Sequence, residues 1–190
     1  MCLILLLVIL MIYRYMKYRE YRGEMDALTG VMGRRLFLRR CAVCQKQAGP
    51  GTRGWFLFLD VDRFKDINDT LGHAAGDETL RQVAAVLDGL LRPYGAVGRM
   101  GGDEFAAIID TGLSRKALEQ LLERFLADIA ALLPDRRVSC SIGAWRFTFP
   151  ADVTALLAQT DRALYQAKEN GRGCFVILDE TGPASPAEGT

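Results

Sequence analysis

The stretch "YGAVGRMGGDEFAAII" (94–109) reads as a β-hairpin: two apolar arms flank Gly101 to Glu104, and the glycines supply the turn. Its tip carries two adjacent carboxylates, Asp103 and Glu104. Upstream, "WFLFLDVD" (55–62) reads as a strand that is apolar on both faces and therefore central in a sheet. Asp60 and Asp62 close that strand two residues apart, which predicts that they share a face. If the hairpin pairs beside this strand, three or four acidic groups converge at one edge of the sheet.

The surrounding pattern is mixed α and β from residue 26 onward. Residues 34–44 predict a helix. After the central strand comes a polar turn, then a helix in which Leu80, Val83, Leu87 and Leu90 line one face. Leu118, Leu121, Leu122, Phe125, Ile129 and Leu132 mark another amphipathic helix, stopped at Pro134. "RVSCSIGAW" (137–145) alternates as a strand does, Val153 to Lys168 predicts the final helix, Asn170-Gly171 ends it, and "CFVIL" (174–178) is the last strand. The tail, 180–190, has no periodicity and is expected to be disordered.

With 190 residues, half of them hydrophobic and a quarter charged, the chain suits one globular domain with a short appendage. A net charge of +1 excludes any global field that would recruit nucleic acid. Five cysteines without repeated spacing suit a reducing compartment, and Cys41 and Cys44 read as small apolar residues on one helix face. The run "MCLILLLVILMIY" (1–13) is apolar but shorter than the roughly 20 residues a spanning helix needs. No basic region precedes it and no small-residue cleavage site follows it, as a signal peptide would require. Arg14, Lys17, Arg19 and Arg22 come next, which by the positive-inside rule leaves the remainder cytoplasmic. The expectation is that residues 1–13 are the end of a membrane helix whose beginning is missing, tethering a cytoplasmic domain to the inner (plasma) membrane. The competing reading is an apolar helix end packed on a partner. Residues 14–25 are expected to form a helical stalk, because Tyr18, Tyr21, Met25 and Leu28 recur at coiled-coil spacing; a helix laid against its own domain fits equally.

Like charges brought together are destabilising unless a cation neutralises them. Hard oxygen donors without histidine or thiolate suit magnesium, which uses one or two carboxylates and completes its shell with substrate phosphates. That chemistry belongs to phosphoryl and nucleotidyl transfer. A Gly-Gly-acid-acid hairpin taken alone is also an ordinary polar turn.

The wider context favours the catalytic reading. "DALTGVMGRR" (26–35), "DVDRFKDINDTLGHAAGD" (60–77), "RMGGDEF" (99–105), "SIG" (141–143) and "DRALYQAKENGR" (161–172) resemble, in order, the signatures of the GGDEF family, the diguanylate cyclases. The resemblance covers about residues 26–178. It implies a domain over 26–179 of α/β (α+β) class: a mixed central sheet flanked by helices, palm-like as in nucleotidyl cyclases, with a ferredoxin-like core and an N-terminal helix. It further implies condensation of two GTP into cyclic di-GMP with release of pyrophosphate. Each 3′-hydroxyl would attack the other nucleotide's α-phosphate across a homodimer, with two Mg2+ ions per GTP (Mn2+ as a substitute).

Residue by residue, the resemblance makes Asp60, the Val61 carbonyl and Asp103 metal ligands, and gives Glu104 metal contact or activation of the hydroxyl. Gly101 and Gly102 would let the backbone lie close to GTP. Asn68 and Asp77 would read guanine, whose mixed donor and acceptor edge an amide and a carboxylate satisfy together. Read alone, Asn68 is a turn residue and Asp77 a helix N-cap. Phe64 and Lys65 fall where the family covers the phosphates, and Lys168 and Arg172 where cations hold the triphosphate tail. His73 reads as a packed loop residue. Two departures stand out. Gly33 occupies a position where the family usually has asparagine, and "RPYG" (92–95) keeps Arg92 but has Gly95 in place of the acid of the product-inhibition site. Weak or absent product inhibition is therefore expected. An alternative to the active cyclase is a catalytically silent module that binds GTP or cyclic di-GMP and signals through a partner.

Overall fold

The computed structural model describes residues 24–132 and 138–179, together with 4, 6–12 and 14 near the N-terminus. Six strands form one sheet: β1 (Met32–Gly33), β2 (Arg53–Val61), β3 (Gly95–Gly101), β4 (Glu104–Ile109), β5 (Cys140–Thr148) and β6 (Phe175–Asp179), in the spatial order β1-β3-β4-β2-β5-β6. The helices are α1 (Arg34–Gln47), α2 (Phe64–Leu71), α3 (His73–Leu91), α4 (Arg115–Leu132) and α5 (Val153–Glu169). β3, β4, β2 and β5 pair antiparallel, whereas the flanking strands β1 and β6 pair parallel with β3 and β5. The central four strands, with α3 and α4 as their crossovers, follow the β-α-β-β-α-β order of a ferredoxin-like core.

The unbroken apolar run of β2 follows from its place in the middle. Alternate residues face opposite sides of a sheet. Trp55, Leu57, Leu59 and Val61 enter a core completed by Leu80, Val83, Leu87 and Leu91 of α3 and by Leu118, Leu122, Phe125 and Ile129 of α4. Phe56 faces the other way, into a second core with Phe37, Cys41 and Cys44 of α1, Ile108 of β4 and Leu156 of α5. Cys41 and Cys44 are thus buried on one face of a helix, as expected. Burial pushes both thiols up to about 12, with Cys44 raised further by its contact with Asp110, so neither supplies a thiolate.

Two local expectations need correction. The polar stretch after β2 folds into α2, because Phe64 and Ile67 share an inward face and Ile67 is buried. On α3 the expected face does meet the core, with Leu90 half-buried against it and Leu91 buried beside it. Met25 and Leu28 lie on no stalk helix: Met25 bridges to Met32, and Leu28 sits in the turn that follows and packs on the larger core. Tyr18, Tyr21 and the tail 180–190 lie outside the described residues. Residues 6–12 are helical and their side chains, with Ile4, are exposed. Among the described residues no helix is long and apolar enough to cross a membrane.

Candidate active site

The hairpin joins β3 to β4 with its glycines at the tip. Gly102 has φ 53, in the left-handed region that a side chain makes costly, so the turn needs a glycine there. Arg99 fastens this tip to the start of the domain. Its Nε and one terminal nitrogen donate to the Gly102 carbonyl at 3.0 and 2.7 Å, and its other terminal nitrogen donates to both oxygens of Asp26, at 3.1 and 3.3 Å. Asp26 also accepts from the Thr29 amide at 2.9 Å and the Thr29 hydroxyl at 2.6 Å. Burial alone would raise the Asp26 carboxyl, but the Thr29 bonds and Arg99 outweigh it and hold the group below its ordinary value. Neither Asp26 nor Arg99 received a role from the sequence reading, although both stand in the quoted motifs. The Asp-x-x-Thr spacing of 26–29, typical of a local side-chain turn, was the available signal.

Asp60 lies opposite Glu104 in the β2–β4 pairing, so their side chains share a face. Asp103 is drawn to the same end of the sheet: its carbonyl accepts from the Val61 amide at 3.3 Å. The crowding has an electrostatic signature. Burial first, then neighbouring Asp103 and Asp62, push the Asp60 carboxyl up despite the opposing effect of Lys168. Glu104 is raised by burial, then by Asp60 and Asp103. The Lys168 ammonium, carried in on the last turn of α5, sits 2.9 Å from Asp60 Oδ1.

Asp62 does not join this group as an open acid. It lies just past β2, 6% exposed, and accepts from the Ser139 hydroxyl at 2.7 Å, the Ser141 hydroxyl at 2.6 Å and the Gly173 amide at 3.0 Å. Three donors engage both of its oxygens in holding the end of β2, the start of β5 and the turn after α5 together. Among the described residues no cluster of three or more His, Cys, Asp or Glu is arranged to hold a metal ion. Two opposed carboxylates in need of a counter-charge nonetheless suit a magnesium ion that draws its other ligands from phosphates and water. The donors present therefore fit that ion at Asp60 and Glu104, with the Asp103 hairpin adjacent.

The remaining candidates fall on α2, α3 and the end of α5. Asn68 is helical rather than in a turn, and Asp77 lies within α3 rather than at its N-cap. The two helices meet closely at Gly76, where a Cβ would come within 2.0 Å of the Asn68 Oδ1. This contact brings Asn68 beside the residue preceding Asp77. Phe64 packs partly into the core, whereas Lys65 is exposed. His73 is the exposed first residue of α3, not a packed loop residue. Arg172 is exposed with φ 66, its amide donating to the Ala167 carbonyl at 3.2 Å. Gly33 serves as the N-cap of α1 without a side-chain bond. Arg92, exposed, donates from Nε to Asp88 at 3.0 Å, and both border a cavity of about 480 Å3 that Thr29, Gly30 and Val31 also line.

Comparison with known proteins accords with this architecture. A family model described as "Diguanylate cyclase, GGDEF domain" matches residues 23–174, and the chain belongs to this family. It is 33% identical over 168 residues to the diguanylate cyclase DgcS of Shewanella oneidensis, covering 85% of this chain and 56% of that protein. It is 36% identical over 170 residues to the diguanylate cyclase TpbB of Pseudomonas aeruginosa, covering 86% of this chain and 39% of that one. The chain thus spans about half the length of these relatives, or less. Among solved structures, the diguanylate cyclase SiaD of Pseudomonas aeruginosa, in complex with its activator SiaC, aligns with a TM-score of 0.80 at 28% identity, over 93% of this chain and 70% of that one. The coiled coil and GGDEF domain of DgcB from Caulobacter crescentus, in complex with c-di-GMP, aligns with a TM-score of 0.77 at 25% identity, over 90% and 93%.

Proposed function

We propose that this protein is an active diguanylate cyclase that condenses two GTP molecules into cyclic di-GMP and pyrophosphate. The observation that carries the reading is the facing of Asp60 and Glu104 at the sheet end, beside an undamaged Gly101-Gly102-Asp103-Glu104 hairpin and within reach of Lys168. A divalent cation, Mg2+ or Mn2+, held by Asp60, Glu104, Asp103 and the Val61 carbonyl would offset the negative charge of the triphosphate and of the reacting oxygens. Asn68, half-buried on α2, and Asp77, exposed on α3, bind the guanine, whose mixed donor and acceptor edge an amide and a carboxylate satisfy together and adenine does not. Lys168 and Arg172 hold the terminal phosphates, with Lys65 and Phe64 at their edge.

Each domain supplies the site for one GTP. Two domains must face each other, so that the 3′-oxygen of one nucleotide forms a bond to the α-phosphorus of the other as pyrophosphate leaves. Repeating the step in the opposite sense closes the ring. Glu104 serves as metal ligand or accepts the hydroxyl proton; a carboxylate beside a divalent cation stays ionised, which suits either role. Incubation of the purified protein with GTP and Mg2+ tests the reading: cyclic di-GMP supports it, whereas GTP binding without product favours a silent signalling module. A homodimer is part of the same proposal, and specific activity should fall on dilution. Unchanged specific activity from a monomer would contradict it. The exposed apolar side chains of residues 6–12, followed by Arg14, support attachment of the N-terminus to a lipid surface; co-flotation of the full chain with anionic vesicles is expected, and its absence would rule this out.

A further inference from the structure

Lys168 stands between two proposed roles. Its ammonium lies 2.9 Å from Asp60 Oδ1, with the Lys168 side chain 31% exposed and that of Asp60 15%. The carboxylate that should bind a cation therefore already has one, supplied by the protein. A lysine ammonium is a point charge on a flexible stem, equally able to pair with a carboxylate or a phosphate. Its Cα is fixed near the end of α5, which is anchored through buried Leu164 and Ala167, so only the side chain needs to swing.

We propose that Lys168 is a placeholder cation: without nucleotide it neutralises Asp60 and competes with the divalent ion, and it moves to the triphosphate when substrate arrives, freeing Asp60 for the metal. This inference rests on the proposed metal role of Asp60. It makes metal and nucleotide binding mutually reinforcing, because each takes up a charge that the other exposes. The geometry explains why one lysine, rather than an arginine locked to two oxygens at once, suits the position.

Mn2+ binding to nucleotide-free protein, followed by the spin-resonance signal of the free ion, tests this without reference to turnover. Lys168→Met should bind Mn2+ about five-fold more tightly than the unaltered protein, the scale of an ion pair worth ~1 kcal/mol. Lys168→Arg should not show the gain, and adding Asp60→Ala to Lys168→Met should abolish it. Thermal melts in chelator should show Lys168→Met folded and further stabilised by Mn2+. Equal or weaker Mn2+ binding by Lys168→Met, with Asp60→Ala still removing the ion, would overturn the placeholder while leaving the metal site intact. Mn2+ binding indifferent to Asp60 in every background would instead overturn the metal assignment itself.

Discussion

Glu104 illustrates how a single carboxylate is held at a disadvantage. Burial, then the charges of Asp60 and Asp103, lift its carboxyl above the ordinary glutamate value. The folded protein therefore holds that proton more tightly than the unfolded chain does. Stability consequently falls as pH rises from the ordinary carboxylate range through the raised value, and at neutral pH the ionised group opposes folding. Glu104→Gln should raise the unfolding midpoint at pH 7.5 by ~1–2 °C, and the gain should shrink as pH falls and vanish at pH ~3, below the ordinary glutamate value, where the acid is protonated in both states. A lower midpoint at pH 7.5 would contradict the crowding. The acidic hairpin was legible only beside Asp60 and the other spaced motifs, since two carboxylates after two glycines also make an ordinary polar turn. Lys168 as the partner of Asp60 was not, because 108 positions of chain separate them and only the sheet brings them together.

At the scale of elements, the turn of the hairpin and the end of β2 are tied down by groups far away in sequence. Asp62 joins β2 to Ser139 and Ser141 and to the Gly173 amide beyond α5. Asp62→Ala would strand these donors, and a loss of roughly 2–3 kcal/mol in urea unfolding is expected. Asp62→Asn, which keeps one acceptor, should lose less. A change in Asp62→Ala below about 0.5 kcal/mol would show that the bonds are dispensable. Two acids spaced by one residue looked equivalent in the sequence, yet one is open to the site and the other is consumed by structure. The difference depends on Ser139 just before β5 and Ser141 within it, whose register against β2 no local pattern discloses. Strand β2, the hairpin and the amphipathic helices were readable because their periodicity follows directly from burial. Helix α2 was missed because its polar face dominates eight residues that bury only Ile67.

At the scale of the molecule, the ferredoxin-like sheet collects onto one end the turns that carry the acids and the lysine, while helices α2 and α3 bring Asn68 and Asp77 near each other. The Arg92 region lies apart from that end in the sequence of elements, at the junction of α3 and β3. There Asp88, one helical turn before Arg92, takes the arginine, and Gly95 offers no acid to a bound guanine. Cyclic di-GMP in the low micromolar range should therefore leave initial rates of GTP turnover nearly unchanged; strong inhibition in that range would contradict this reading. The family was legible from spaced motifs, whereas the fastening of the hairpin through Arg99 and Asp26 emerged only in three dimensions.

The sheet-end carboxylates are proposed to carry out nucleotidyl transfer. That role is tested most directly by measuring cyclic di-GMP formed from GTP and Mg2+ by the unaltered protein and by Asp103→Ala, with circular dichroism reporting the fold of both. Cyclic di-GMP is expected from the unaltered protein and none from a folded Asp103→Ala, since Asp103 lies at the hairpin tip, half-buried and outside both apolar cores. Absence of product from the unaltered protein, or undiminished product from the variant, would contradict it.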